Sequence, residues 1–250
     1  MSGHSKWHSI KHAKGAADAA RGKLFARLAR QIEVAARQGG GDIEGNPTLR
    51  TMVQKARDGS MPKDNIERAI KRGTGELEGV TYEQVNYEGY APHGVAVYVE
   101  TLTDNRNRTG SEVKNAFTRN GGSLAEPGSV SWQFQRKGVI QLAKDAASED
   151  DLMLAALEAG AEDIEDQGDS WQITTPPTEL HAVRNALESG GIPFTSTDLT
   201  MLPSQTVPLT DPGAAKSVLR VIDALEEHDD VQNVYANFDI PDDVLATVVA

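Results

Sequence analysis

Residues 138–202 read GVIQLAKDAASEDDLMLAALEAGAEDIEDQGDSWQITTPPTELHAVRNALESGGIPFTSTDLTML, a run in which segments of period two alternate with segments of helical period. Val139, Ile140 and Leu142 make a short strand, and Ser148 can cap a helix that carries Leu152, Ala155, Ala156 and Ala159. Two strands follow near 162–165 and 171–174, then a helix with Leu180, Val183 and Leu187, then a strand over 194–201. The order is β-α-β-β-α-β, a ferredoxin-like split unit.

The flanks do not form a complete unit on either side alone. Upstream, residues 85–90 and 95–101 alternate and are rich in Val and Tyr, with Pro92-His93-Gly94 as the turn between them. The polar run 103–108 feeds a helix for which Thr109 and Glu112 form a capping box, with Val113, Ala116 and Phe117 inward and Asn120-Gly121-Gly122 as the stop. Residues 130–134 read as a further strand. Downstream, residues 207–209, a helix with Ala215, Val218, Leu219, Ile222 and Leu225, and residues 231–238 add a β-α-β. The expected fold class is therefore α+β: a helical N-terminal domain followed by two ferredoxin-like α+β domains, the third inserted in the second. Expected boundaries are 1–75, 80–135 plus 205–240, and 136–204. Trp132 and Trp171 fall in expected strands and are expected in the core.

The first 72 residues differ from the rest in charge. They hold 15 Lys+Arg against 7 Asp+Glu, a net of +8, whereas residues 73–250 hold 10 against 30, a net of −20. Solvated surfaces normally intersperse the signs, so a basic head on an acidic body suggests a polyanion at one end. Within the head a helix is expected over 17–38, before Gly39-Gly40-Gly41. Leu24, Phe25, Leu28, Ile32 and Ala35 share one arc of it, while Lys23, Arg27, Arg30 and Arg37 line the opposite face and Arg21 lies off it. Such a face can be an ordinary solvated one. Ahead of it, Lys6, Lys11 and Lys14 stand among Trp7, His4, His8 and His12, a composition suited to phosphate contacts and stacking on an unpaired base. Asn46 with Pro47 starts a second helix carrying Leu49, Met52, Val53 and Ala56. A third starts near Pro62, with Ile66, Ala69 and Ile70 inward, Lys63, Arg68, Lys71 and Arg72 outward, and Gly73 as its stop. Residues 73–79 read as a linker.

Bulk properties narrow the classes. The chain has 250 residues, of which 38% are hydrophobic, enough for one large domain or two to three small ones. There is no cysteine, which excludes disulfides, thiolate catalysis and Cys-based zinc sites. No apolar run approaches a membrane span and no export signal opens the chain, so the cytoplasm is the expected location.

Several blocks in fixed order resemble one family. They are Gly3-His4-Ser5-Lys6-Trp7, Gly22-Lys23 with Gly39-Gly40-Gly41-Asp42, Met61-Pro62-Lys63-Asp64-Asn65-Ile66-Glu67-Arg68-Ala69-Ile70, Tyr87-Glu88-Gly89-Tyr90, Thr103-Asp104-Asn105-Arg106-Asn107-Arg108-Thr109, and Gly121-Gly122-Ser123-Leu124 with Gly128-Ser129-Val130. Together they resemble the YebC/PmpR family of probable transcriptional regulatory proteins, which includes the mitochondrial translational activator of cytochrome c oxidase. The resemblance implies a cytoplasmic, nucleic-acid-binding regulator of gene expression acting on promoter DNA or on the ribosome. Two positions depart from the pattern: Ala13 stands where a base is frequent, and Ile43 where a proline often follows Gly-Gly-Asp.

An enzyme is not expected. Residues 15–23 lack the glycine spacing of a phosphate loop, and Leu24 stands where Ser or Thr should hold magnesium. Gly73, Gly75 and Gly79 miss the dinucleotide spacing, and His8 with His12 lacks a third metal ligand, so neither cofactor nor metal is expected. The pairs Asp150-Asp151, Asp229-Asp230 and Asp242-Asp243 are expected to be solvated. Arg106 and Arg108 open a helix whose free N–H groups could hold phosphate, or they belong to a loop fixed by Asp and Asn turn bonds; Gly121-Gly122-Ser123 could pack beside them. The expected nucleic-acid contacts are thus Lys6, Trp7, His8, Lys11, His12, Lys14, Lys23, Arg27, Arg30, Arg37, Arg106 and Arg108. Promoter DNA is the leading partner, with rRNA in the ribosome as the alternative, in which ribosomal proteins would meet the acidic body. No membrane or small-molecule substrate is expected.

Overall fold

Three amphipathic helices share one apolar centre in the head. A computed structural model describes residues 17–249, in which α1 (Ala17–Gly39), α2 (Pro47–Asp58) and α3 (Lys63–Thr74) pack around Leu28, Ile32, Leu49, Val53, Ala56, Ile66 and Ala69. Leu24, expected inside, is 37% exposed at the start of the stripe. Asn46 joins the first two helices: its Oδ1 accepts from the Leu49 N–H at 3.1 Å, and its Nδ2 donates to Ala35 O and Gly40 O at 2.9 Å each. Gly73 does not stop α3, as its sequence context suggests. It lies inside the helix against α1, where an added Cβ would meet Glu33 O at 2.5 Å, and Gly75, at φ 82°, supplies the left-handed cap.

Beyond the head the chain runs β1 (Glu83–Tyr90), β2 (Ala96–Thr103), α4 (Arg106–Arg119) and β3 (Ser123–Ala125). It continues with β4 (Phe134–Ala143), α5 (Glu149–Leu152, prolonged by a wider turn over Met153–Leu157), β5 (Asp163–Asp166), β6 (Ser170–Thr175), α6 (Leu180–Ser189) and β7 (Ser196–Pro203). Last come β8 (Val207–Pro208), α7 (Pro212–Glu226), β9 (Val231–Ala236), β10 (Phe238–Asp239) and α8 (Asp242–Val249). One sheet has the order β3-β1-β2-β9 and a second the order β5-β6-β4-β7; β8 and β10 form a small parallel pair. In the first sheet all pairings are antiparallel, with Val85 opposite Thr101 and Val99 opposite Val234.

Helices α4 and α7 cover one face of the first sheet, closing a core of Val97, Val99, Val113, Phe117, Val218, Ile222 and Val234. Helices α5 and α6 do the same for the second, around Ile140, Leu142, Trp171, Ile173, Val183 and Leu187. Among the described residues no apolar cluster draws on both the head and the sheets. The two sheets share a small cluster of Tyr98, Tyr235 and Phe134, whereas the head closes by its own hydrophobic burial.

Three local expectations are corrected. The helix after β2 begins at Arg106, not at Thr109: the Asn105 side chain accepts from the Arg108 N–H at 3.1 Å. Residues 130–134 are not a strand, because the buried Glu88 carboxylate draws the N–H groups of Gly128, Val130 and Ser131 to itself at 2.6–2.8 Å. The segment turns over Ser131–Gln133, and the strand begins only at Phe134. Trp132 consequently stands 74% exposed, whereas Trp171 is buried as expected.

Candidate nucleic-acid interface

Lys23, Arg27 and Arg30 follow one another on α1 at spacings of four and three, so they form one row. In the structure that row does not face solvent. Lys23 Nζ donates to Glu227 O, Arg27 Nη2 donates to Glu226 O, and Arg30 Nη1 donates to Asp229 O at 2.6 Å and to Asp230 Oδ1 at 3.1 Å. These acceptors belong to the last turn of α7 and the turn leading to β9. A helix end leaves carbonyls without intrahelical partners and carries partial negative charge, so cations are its natural caps. The expected outward face is therefore turned inward, towards the acidic body. The reason is long-range: the spacing fixes which side of α1 is cationic, but not what that side meets.

Asp230 is the centre of the contact. Expected to be solvated, it is only 4% exposed and its carboxylate accepts from Thr109 Oγ1 at 2.7 Å, Arg108 Nη2 at 2.9 Å and Arg30 Nη1 at 3.1 Å. Burial pushes its pKa up, but the Thr109 and Arg108 hydrogen bonds and the charges of Arg108 and Arg30 outweigh that and hold it below the usual aspartate value. Beside it, the Asp230 N–H donates to His228 Nδ1 at 3.0 Å, which places the ring proton on Nε2, 2.6 Å from Glu112 Oε2. Tyr82 lies under the Arg30 guanidinium at 5.5 Å.

The other expected contacts divide. Arg37 donates to Val80 O at 3.0 Å and stands 3.7 Å from Glu33. Arg108 is spent on Asp104 and Asp230, so the turn-bond reading applies to it, while Arg106 remains exposed. Gly121 and Gly122 lie at the far end of α4, roughly 20 Å from Arg106 by helical rise, and do not pack beside it. Lys6, Trp7, His8, Lys11, His12 and Lys14 lie outside the described residues.

The solvent-facing cations of the head are others. Arg57 at the end of α2 and Arg68 and Lys71 on α3 are exposed and have no ion-pair partner among the described residues. The outward setting of Arg68 and Lys71 is legible in the helical spacing of the third helix, whereas that of Arg57 is not among the sequence expectations. Trp132 was missed altogether. Its Nε1 donates to Ser129 O at 3.1 Å, so an exposed indole is held there with its N–H already engaged.

Two further properties bound the chemistry. Among the described residues no group of three His, Asp or Glu could hold a metal ion, and no helix is long and apolar enough to cross a membrane. A cleft of about 250 Å³ separates the head from the sheets, lined by polar side chains such as Lys55, Arg136 and Asp198 and by apolar ones such as Val34, Met52 and Leu199. The contact between head and body is thus incompletely packed.

Comparison with known proteins gives the same picture along the chain. Residues 5–76 match the TACO1/YebC protein N-terminal domain, and residues 82–238 match the TACO1/YebC second and third domain. A protein of Rubrobacter xylanophilus is 59% identical over 249 residues, 99% of each chain, and one of Halothermothrix orenii is 54% identical over 250 residues, again 99% of each. Both are named probable transcriptional regulatory protein. The crystal structure of a conserved hypothetical protein from Aquifex aeolicus is similar with a TM-score of 0.79 at 50% identity, over 90% of this chain and 93% of that one. With both parts matched in order and full-length relatives above half identity, the chain belongs to the TACO1/YebC family.

Proposed function

We propose that this protein is a non-enzymatic regulator of gene expression that binds nucleic acid through its head, with promoter DNA as the first target. The carrying observation is the charge division: a head of net +8 with its own closed core is joined to a body of net −20 with which it shares no buried apolar cluster among the described residues. The name that the bacterial relatives bear supports a regulatory role. We take the two sheet units as ferredoxin-like domains at 80–135 plus 205–240 and at 136–204, with the head at 1–75, and the cytoplasm as the site of action. Binding would rest on phosphate contacts by Lys23, Arg27, Arg30 and Arg106, extended by Arg57, Arg68 and Lys71 and by the leader residues Lys6, Lys11 and Lys14. Such contacts fix position rather than sequence.

A second reading is a ribosome-associated translation factor touching rRNA. The acidity of the body favours it, since a surface of net −20 repels a long duplex but suits basic ribosomal proteins. Sedimentation of lysate with and without intact ribosomes, beside promoter-DNA binding at two salt concentrations, separates the two. DNA regulation predicts sequence-dependent promoter binding and no co-sedimentation. Co-sedimentation that disappears when residues 1–72 are removed, with only weak and sequence-independent DNA binding, would replace it by the second reading.

A further inference from the structure

We infer that the packing seen here is a self-inhibited state, in which the C-terminal turn of α7 occupies the phosphate-binding row of α1 and must be displaced before nucleic acid is gripped. The inference rests on the proposed nucleic-acid binding and adds its regulation. Three features of the structure carry it.

The first is chemical mimicry. The row is engaged by the Glu226, Glu227 and Asp229 carbonyl oxygens and the Asp230 carboxylate, all hydrogen-bond acceptors with negative charge around them. A phosphodiester strand offers the same chemistry. From Lys23 to Arg30 the helix rises about 10 Å, the axial length of roughly three nucleotides on one strand. One set of cations cannot serve both partners at once.

The second is that no shared buried core holds the head down. No apolar cluster among the described residues is shared between head and sheets, and a cleft of about 250 Å³ lies between them. Another direct bridge is Lys55 Nζ to Asp198 Oδ1 at 2.7 Å, with both side chains nearly half exposed. That exposed pair is individually weak and screened by salt, so the closed state is held chiefly by the more buried Arg27 and Arg30 contacts with the end of α7, whose acceptors a polyanion can replace one for one. A dry apolar interface would not behave so.

The third is the connection. Residues 75–81 between α3 and β1 are all exposed, starting with Gly75 in the left-handed conformation, and Leu77 and Val80 are 42% and 45% exposed. Rotation about this segment would carry the head away from α7 without disturbing any core.

The chain has no cysteine, which makes a direct test available. Lys55→Cys and Asp198→Cys, replacing a pair now in contact, can be joined with a reducible bis-maleimide in the full-length protein. Affinity is then read for a random-sequence duplex DNA and for a single-stranded RNA at low salt, before and after reduction. The joined form is expected to bind both about tenfold more weakly than the same protein after reduction, because the competent state is depleted. Equal affinity before and after reduction would overturn the inference. Asp198→Lys, which leaves the row untouched and sets two cations against each other, is expected to bind about two- to threefold tighter; weaker or unchanged binding counts against the inference. If wild type and reduced protein bind neither probe, the nucleic-acid reading itself falls, and the inference with it.

Discussion

Two sets of cations on the same small head have opposite surroundings. Lys23, Arg27 and Arg30 of α1 each donate to an acceptor at the end of α7, whereas Arg57, Arg68 and Lys71 of α2 and α3 stand in solvent with no ion-pair partner among the described residues. All six occupy polar positions of amphipathic helices. The difference teaches that amphipathicity identifies the side of a helix turned from its own core, and leaves open whether water or another part of the chain lies there. In this protein the polar side of α1 serves as a joint, and the polar side of α3 as a surface.

Stability should separate the two sets most clearly. Asp230→Ala removes one acceptor each from Thr109, which is fully buried, and from Arg30 and Arg108, and a loss of about 2–3 kcal/mol is expected after allowing for the partial exposure of those arginines and their remaining partners. Denaturant unfolding followed by far-UV circular dichroism reads it; a change below about half a kilocalorie would deny Asp230 its central place.

The acid limb gives a smaller effect of fixed sign. Asp230 has a folded value depressed below its ordinary 3.8, so its contribution is fully present above that value and is lost as pH falls from there through the folded value. The stability gap between wild type and Asp230→Asn should accordingly narrow as pH drops below about 3.8. A gap that stays constant, or widens, would contradict the assignment. Smallest of all, Arg68→Ala and Lys71→Ala should each change stability by less than about 0.5 kcal/mol while lowering affinity for duplex DNA. Loss of stability without loss of affinity would show those side chains to be structural after all.

Which parts of this were legible in the sequence follows from the range of the forces. The Asn46-Pro47 start of α2, the glycine end of α1 and the Ser148 cap are local, and each stands where the residues place it. Thr109 is the local candidate for the cap of α4, yet Asn105 takes that place. Asn105 prevails, because the Thr109 hydroxyl is engaged by Thr103 and by Asp230, a residue 121 positions away. Trp132 was unreadable for the same kind of reason. The segment before it looks like a strand until Glu88, about 40 residues upstream, takes its N–H groups. Burial pushes Glu88 up, but those three bonds together leave it below the usual carboxylate range, so the charged form that holds the turn persists at neutral pH. The candidate site shows the same limit on a larger scale: its cations could be named from their spacing, but their counterpart on α7 lies about 200 residues further along the chain.

The salt dependence of duplex-DNA binding by full-length protein, wild type against the triple variant Lys23→Ala, Arg27→Ala and Arg30→Ala, bears on all of this at once. If the row on α1 grips phosphates once released from α7, the log–log slope of the variant should be shallower by roughly 0.9 per lost contact, about 2.7 in all, with affinity reduced at low salt. An unchanged slope would mean that the three cations serve only to fasten the head to the body.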